Sequence, residues 1–212
     1  MTQVTPRTIH AFWGGPPMPA YLAAHLQAWR DLHPGWGVTL WTPDTIPPLR
    51  HQKFYDQVER YSPKSNPWQY KANLIRYELL HDQGGWWVDM DMEPRVPLDA
   101  LCGNRLVAAW ERQDVWINNA LIGAPAGHPA LAEILDGIPA SIRSQPRRRS
   151  TWQTGPRYVT PILRDREDVL VLDQAAVYPY SWDEPHRADE PFPDAIAVHH
   201  WHNRFGAARE AR

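Results

Sequence analysis

The chain is expected to fold as one α/β domain, residues 1–212, built on a mostly parallel central sheet. Three observations carry this. Strand-like and helix-like segments alternate along the sequence, which is the pattern of a parallel sheet covered on both faces. Hydrophobic residues make up 43% of 212 residues, enough for a single sizeable core. The 22 prolines are scattered between periodic segments rather than gathered into a linker, and no internal repeat is visible.

The elements follow in order. Thr8 to Trp13 reads as an apolar strand. Ala20 to Leu32 carries Leu22, Leu26 and Trp29 at helical spacing, and Val38 to Trp41 reads as a second strand. Asn66 to Gln83 is the best-marked helix: Asn66 is an N-cap, Pro67 occupies the first helical position and Gly84 stands beyond the end. Trp68, Ala72, Ile75 and Leu79 would face the core, while Asn73 and Arg76, three apart, share another face. Arg105 to Trp110 and Leu170 to Leu172 also read as strands, and His128 to Leu135 as a short helix. In such a sheet, ligands sit at the carboxyl ends of the strands.

The most informative stretch is Gly84 to Met92, GGWWVDMDM. Two glycines end the helix, a buried strand follows, and Asp89 and Asp91 arrive one residue apart. The period of a strand would project both to one side where it leaves the sheet. Paired carboxylates suit Mn²⁺ or Mg²⁺, hard cations that keep only one or two protein carboxylates and leave room for diphosphate oxygens. Asp-x-Asp pairs are also common as solvated turns, so the preceding helix and strand are what give this one weight. Asn73 and Arg76 are placed to look toward it.

Composition excludes several classes. A formal net charge of −2 and a pI near 6.5 do not fit a general nucleic-acid binder. Cys102 is the only cysteine, so neither an intrachain disulfide nor a cysteine metal cluster can form. The start MTQVTPRTIHAF lacks a basic-then-apolar leader and no apolar run is long enough to span a bilayer, so the expectation is a cytoplasmic protein of a bacterial or phage-infected cell, without a membrane anchor.

The run KANLIRYELLHDQGGWWVDMDMEPRVPLDAL resembles the DXD sugar-binding region of family 32 glycosyltransferases, and more distantly the glucosyltransferase domain of the large clostridial toxins. TPRTIHAFWGG, NNALIGAPAGHP, TGPRYVT and AVHHWHN are similar to further blocks of that family, in the same order across nearly the whole chain. The resemblance implies a GT-A-type, Rossmann-like transferase that moves a sugar from a UDP- or GDP-sugar to an acceptor hydroxyl with Mn²⁺ or Mg²⁺ and with retained anomeric configuration. It leaves the acceptor open among glycan, lipid, protein and modified nucleic acid.

The resemblance also implies site residues. Asp91 and Asp89 would hold the metal, with His199 as a third ligand and His200 as second choice. Asp89, Asp91 and Arg76 would carry the chemistry, and His10, Trp13, Asn73, Arg76, Asp89, Asn118 and Asn119 would bind the donor, while Arg204, at a departure from the family, would neutralise the diphosphate directly. Trp13 reads from the residues alone as core or as a flat stacking face; a toxin-type tryptophan at this place stacks on uracil. Asn118 and Asn119 read as an ordinary turn or as partners of sugar hydroxyls. Thr154 and Gly155 belong to the acceptor side, and Arg147 to Arg149 to a solvated loop or an acceptor-phosphate site. Two departures stand out: Asn203-Arg204-Phe205 replaces the usual Gly-Ser-Trp ending, and Ala72-Asn73 replaces Ser-Asp. The rival readings are a metal-dependent phosphohydrolase, which also uses paired aspartates, and an inactive carbohydrate-binding module, suggested by 12 tryptophans.

Overall fold

The computed structural model describes residues 3–202. Its strands and helices run in chain order as β1 (Thr8–Phe12), α1 (Ala20–Leu32), β2 (Gly37–Trp41), α2 (Gln52–Asp56), α3 (Val58–Tyr61), α4 (Pro67–Gln83), β3 (Gly85–Val88), β4 (Met92–Pro94), β5 (Leu106–Arg112), β6 (Trp116–Ala124), α5 (Pro129–Ser144), α6 (Ser150–Gln153), α7 (Pro156–Leu163), β7 (Val169–Leu172), α8 (Gln174–Val177) and β8 (Ala197–His199). Six strands form one sheet in the order β2-β1-β3-β6-β5-β7. Every neighbouring pair is parallel except those made by β6, which runs against β3 and β5. The expected mostly parallel α/β sheet is therefore present, with β4 and β8 forming a separate antiparallel ribbon.

Strand alternation feeds two cores. In β3, Trp86 packs on one side with Ile9, Leu22, Trp29 and Val107, while Trp87 packs on the other with Leu74, Leu79, Ile122 and Ile134. Both faces are covered, which is why β3 and β5 read as nearly unbroken apolar runs rather than as an alternation with polar residues.

Helix α4 starts and stops where its caps dictate. The Asn66 side chain accepts a hydrogen bond from the Trp68 amide at 2.9 Å, and Gly84 closes the last turn with φ of 67°. The next glycine is needed for space as well as for its φ of 97°: a Cβ on Gly85 would stand 2.2 Å from Thr8 Oγ1. Ile75 and Leu79 are buried as expected, but Trp68 and Ala72 are only half-buried and border a cavity. The helix is enclosed on all sides from Asn73 to Leu80, so its stripe does not mark a single core-facing side.

The helix expected over His128 to Leu135 is twice as long, because its apolar stripe continues through Ile138 and Ile142. Pro139 inside it removes the amide that would pair with the Leu135 carbonyl. His51 Nε2 takes that carbonyl instead, at 2.8 Å, and the helix continues.

Candidate active site

Asp89 and Asp91 lie in the turn between β3 and β4. The Met92 amide donates to the Asp89 carbonyl at 3.0 Å and the Asp89 amide to the Ala120 carbonyl at 2.9 Å. This turn, rather than the pleat of a strand, brings the two carboxylates together. The β4–β8 ribbon supplies the third member. Met92 pairs with His199, the His200 amide donates to the Asp91 carbonyl at 2.9 Å, and the His202 amide donates to Asp91 Oδ2 at 2.6 Å. One ligand atom each from Asp89, Asp91 and His199 then fall within 4.8 Å of one another.

The electrostatics distinguish the three groups. Burial pushes the Asp91 carboxyl up, but the charge and hydrogen bond of His199, at 3.2 Å, and the His202 amide outweigh it and hold Asp91 well below the usual carboxylate range. The same pairing raises His199 above an ordinary histidine despite its burial. Burial raises Asp89, opposed first by Arg76, whose Nη2 lies 2.9 Å away, and helped by the charge of Asp91. Two carboxylates and an imidazole converge here, and Nδ1 of His199 is buried with no hydrogen-bond partner. Both features fit a divalent cation held between Asp89, Asp91 and His199.

Arg76 is the fixed point of the cluster. It is 1% exposed, donates to Asp89, to the Ala72 carbonyl and to the Asn119 carbonyl, and lies 5.1 Å over the Trp87 ring. Trp87 Nε1 donates to the same Asp89 oxygen at 2.8 Å. Asn73 does not touch the aspartates. Its Oδ1 accepts from Asn119 at 3.0 Å and its Nδ2 donates to Thr154 Oγ1 at 3.1 Å, while Asn119 also reaches the Tyr77 hydroxyl. Asn118 donates to Glu111 at 2.7 Å.

Two cavities meet at this cluster. One, of about 350 Å³, is polar and is bordered by Asn73, Glu111, Asn118, Asn119, His199 and Trp201. The other, of about 510 Å³, is bordered by Phe12, Trp13, a Gly-Pro segment from Gly14 to Pro17, Trp68 and Met90. Asn66, Gln69, Arg76, Asp89 and Asp91 border both.

Several expected placements need correction. His10, expected on the donor side, borders neither cavity: it sits mid-strand, 3% exposed, with Nε2 on the Gly84 carbonyl at 3.1 Å and Nδ1 receiving Trp41 Nε1 at 3.2 Å. Of β1 only its last residue, Phe12, borders the cleft, and the wall continues through Trp13 to Pro17. Thr154 and Gly155 stand behind Asn73 and Tyr77, and it is Ser150, Thr151 and Pro156 that border the polar cavity. His200, the second-choice ligand, is directed to Glu93 and Tyr180 instead. Of the three consecutive arginines only Arg149 borders the cavity, while Arg148 stacks over Trp152. Arg204 lies outside the described residues. The sequence reading missed Glu111, Trp182 and Trp201. Glu111 is a charged residue near the carboxyl end of the apolar strand β5, a position from which side chains reach ligands in such sheets, and that signal was available. Burial raises the Glu111 carboxyl above its ordinary value.

Residues 19–108 match the family described as glycosyltransferase sugar-binding region containing DXD motif. Inositol phosphoceramide mannosyltransferase 3 of Schizosaccharomyces pombe is 26% identical over 162 residues, covering 74% of this chain and 44% of the yeast protein; the chain thus spans less than half the length of that relative. Among solved structures, the PaToxG glycosyltransferase superposes with a TM-score of 0.61 at 13% identity, over 76% of this chain and 69% of the other. The UDP-bound glycosyltransferase domain from the YGT toxin gives 0.56 at 8% identity, over 81% and 80%. The fold is the GT-A-like one expected, and residues 19–108 are similar to the DXD sugar-binding region.

Proposed function

We propose that this chain, as a carrier of the DXD sugar-binding region, transfers a sugar from a nucleoside-diphosphate donor to an acceptor hydroxyl, with a divalent cation at Asp91, Asp89 and His199 and with retention of anomeric configuration. The observation that supports this most is the junction of an apolar and a polar cavity at Asp89, Asp91 and Arg76. A nucleotide sugar has the matching division: a flat base at one end, a hydroxyl-rich ring at the other and a diphosphate between.

In this reading the base lies in the cavity bordered by Trp13 and Trp68, where stacking needs no base-specific donor. The sugar enters the polar cavity, where Asn73, Asn118, Asn119 and Glu111 offer amides and a carboxylate to its hydroxyls. The bond that breaks joins the anomeric carbon to the diphosphate, and negative charge develops on the leaving group. When bound, Mn²⁺ or Mg²⁺ supplies Lewis-acid stabilisation of those oxygens. Arg76 fixes Asp89 and the Asn119 backbone together, so metal side and sugar side keep one geometry. Delivery of the acceptor oxygen from the same face dispenses with a carboxylate nucleophile, and Glu93 takes no part.

Base and sugar follow from a direct assay. UDP-glucose, UDP-galactose, their N-acetylated forms and GDP-mannose are each incubated with the protein, with and without Mn²⁺, and release of nucleoside diphosphate is followed. Metal-dependent release from one donor is expected. Loss of simple phosphoesters would support a phosphohydrolase instead, and sugar binding without turnover a binding module.

A further inference from the structure

His25 of α1, Glu93 of β4 and His200, the residue after β8, bring one ligand atom each to within 4.8 Å of one another. None of the three borders either cavity. Neighbouring positions of an extended chain point to opposite sides, so while His199 turns to Asp91, His200 turns to Glu93. Its Nε2 lies 2.7 Å from Glu93 Oε2. The rings of His25 and His200 overlap, with centroids 5.2 Å apart and planes 30° from parallel. The Tyr180 hydroxyl meets Nδ1 of His200 at 3.1 Å, so Nε2 is the nitrogen left facing the carboxylate.

The donor set differs from that of the first cluster. Two carboxylates and one imidazole suit a hard cation with oxygen ligands. Two imidazoles and one carboxylate are a zinc-type set of three protein ligands with room for a fourth. Tyr180 plays the part that outer hydrogen bonds play at metal-bound histidines, fixing tautomer and ring orientation.

We propose that His25, Glu93 and His200 form a second metal site, specific for zinc-like ions over Mg²⁺, that ties α1 to the β4–β8 ribbon. The ribbon carries Asp91 and His199 at neighbouring positions, so an ion here stiffens the mount of the first site without touching the cavities. Binding places the metal on His200 Nε2 and shifts the ring proton to Nδ1, which then donates to the Tyr180 hydroxyl, so the ligand stays a neutral imidazole.

The test uses the full chain with Asp91→Asn, which disables the first cluster, after chelator treatment. Its readout is metal content and ligation rather than turnover, so it fails or succeeds separately from the proposed transferase activity. Calorimetric titration with Zn²⁺ is expected to give one equivalent that excess Mg²⁺ does not displace. His25→Gln in the same background should remove that equivalent, Tyr180→Phe should keep it with roughly 10–100-fold weaker affinity, and His186→Gln should leave it unchanged. Zinc X-ray absorption on the loaded Asp91→Asn protein, which does not depend on a further variant folding, should show two imidazoles and a carboxylate oxygen. Zinc that survives His25→Gln, no bound zinc, or a shell with fewer than two imidazoles overturns the proposal.

Discussion

The two cavities that share Asp89, Asp91 and Arg76 are built by opposite means. The one at Trp13 is assembled from loop residues after β1 and the first turn of α4, with Gly14 so close to Trp68 that a Cβ would stand 2.3 Å from its ring. Away from the shared residues its walls are mainly apolar side chains, with Trp13 Nε1 donating to the Pro16 carbonyl at 2.7 Å. The polar cavity is bordered by side chains already committed to one another: Asn73 with Thr154 and Asn119, Asn119 with Tyr77, Asn118 with Glu111. An apolar wall tolerates many flat ligands, whereas a preformed amide network rewards one pattern of hydroxyls and leaves buried groups unpaired for another. In the proposed function, affinity for the nucleotide resides in the first cavity and choice of sugar in the second.

The largest expected effect breaks both halves at once. Asp91→Ala should lower Mn²⁺-dependent donor release by on the order of 10²–10³-fold or more, the loss typical of removing an electrostatic stabiliser of a transition state. Initial rates on a protein with parental circular dichroism check it, and turnover near the parental level would remove Asp91 from the metal. Arg76→Ala comes next. It should depress turnover with every donor, and should also cost about 3 kcal/mol of stability, the low end for breaking a buried pair, because the Asp89 side chain keeps 30% exposure. Urea unfolding gives the second number directly.

Two smaller effects separate the cavities. Trp13→Ala should weaken nucleoside diphosphate binding by ~1–3 kcal/mol and leave the ranking of donor sugars alone. Asn73→Asp should do the reverse, shifting preference between epimeric sugars by ~1–3 kcal/mol with little change in nucleotide affinity. An aspartate cannot donate to Thr154 as the amide does, so the hydroxyl pattern it accepts differs. Calorimetry and a donor panel on both variants settle the matter, and equal shifts in both assays would mean that the division is false.

The smallest effect concerns histidines. His10, His33 and His128 are held below the ordinary value by burial, so each is neutral in the fold. As pH falls through about 6.5, the unfolded chain takes up protons that the folded one refuses, and stability declines until the folded pKa values are reached. His199 has the opposite sign: raised by Asp91, its contribution is complete below about 6.5 and is lost as pH rises through the folded value. Urea midpoints without metal should therefore fall between pH 7 and 5.5, and fall more steeply in His199→Gln. A flat profile in His199→Gln, where no opposing histidine remains, would show that the buried histidines are not neutral.

Features that depend on near neighbours are legible along the chain. Asn66, Pro67 and Gly84 frame α4 through hydrogen bonds within one turn of its ends, and apolar strands alternating with helices required a parallel sheet covered on both sides. The spacing of Asp89 and Asp91 also marked the acidic exit of β3. Which of these groups meet depends on how distant segments pack. Asp91 receives the His202 amide and His199 from more than a hundred residues away, and Glu111 reaches the polar cavity through the pairing of β5 with β6. His10 looks like a cleft residue in sequence but is held by Gly84 and Trp41 inside the sheet, and Pro139 looks like a helix end but is bridged by His51. Capping and pleating are short-range forces written in adjacent residues, whereas burial, ion pairing and cavity shape depend on which distant segments the packed core brings into contact.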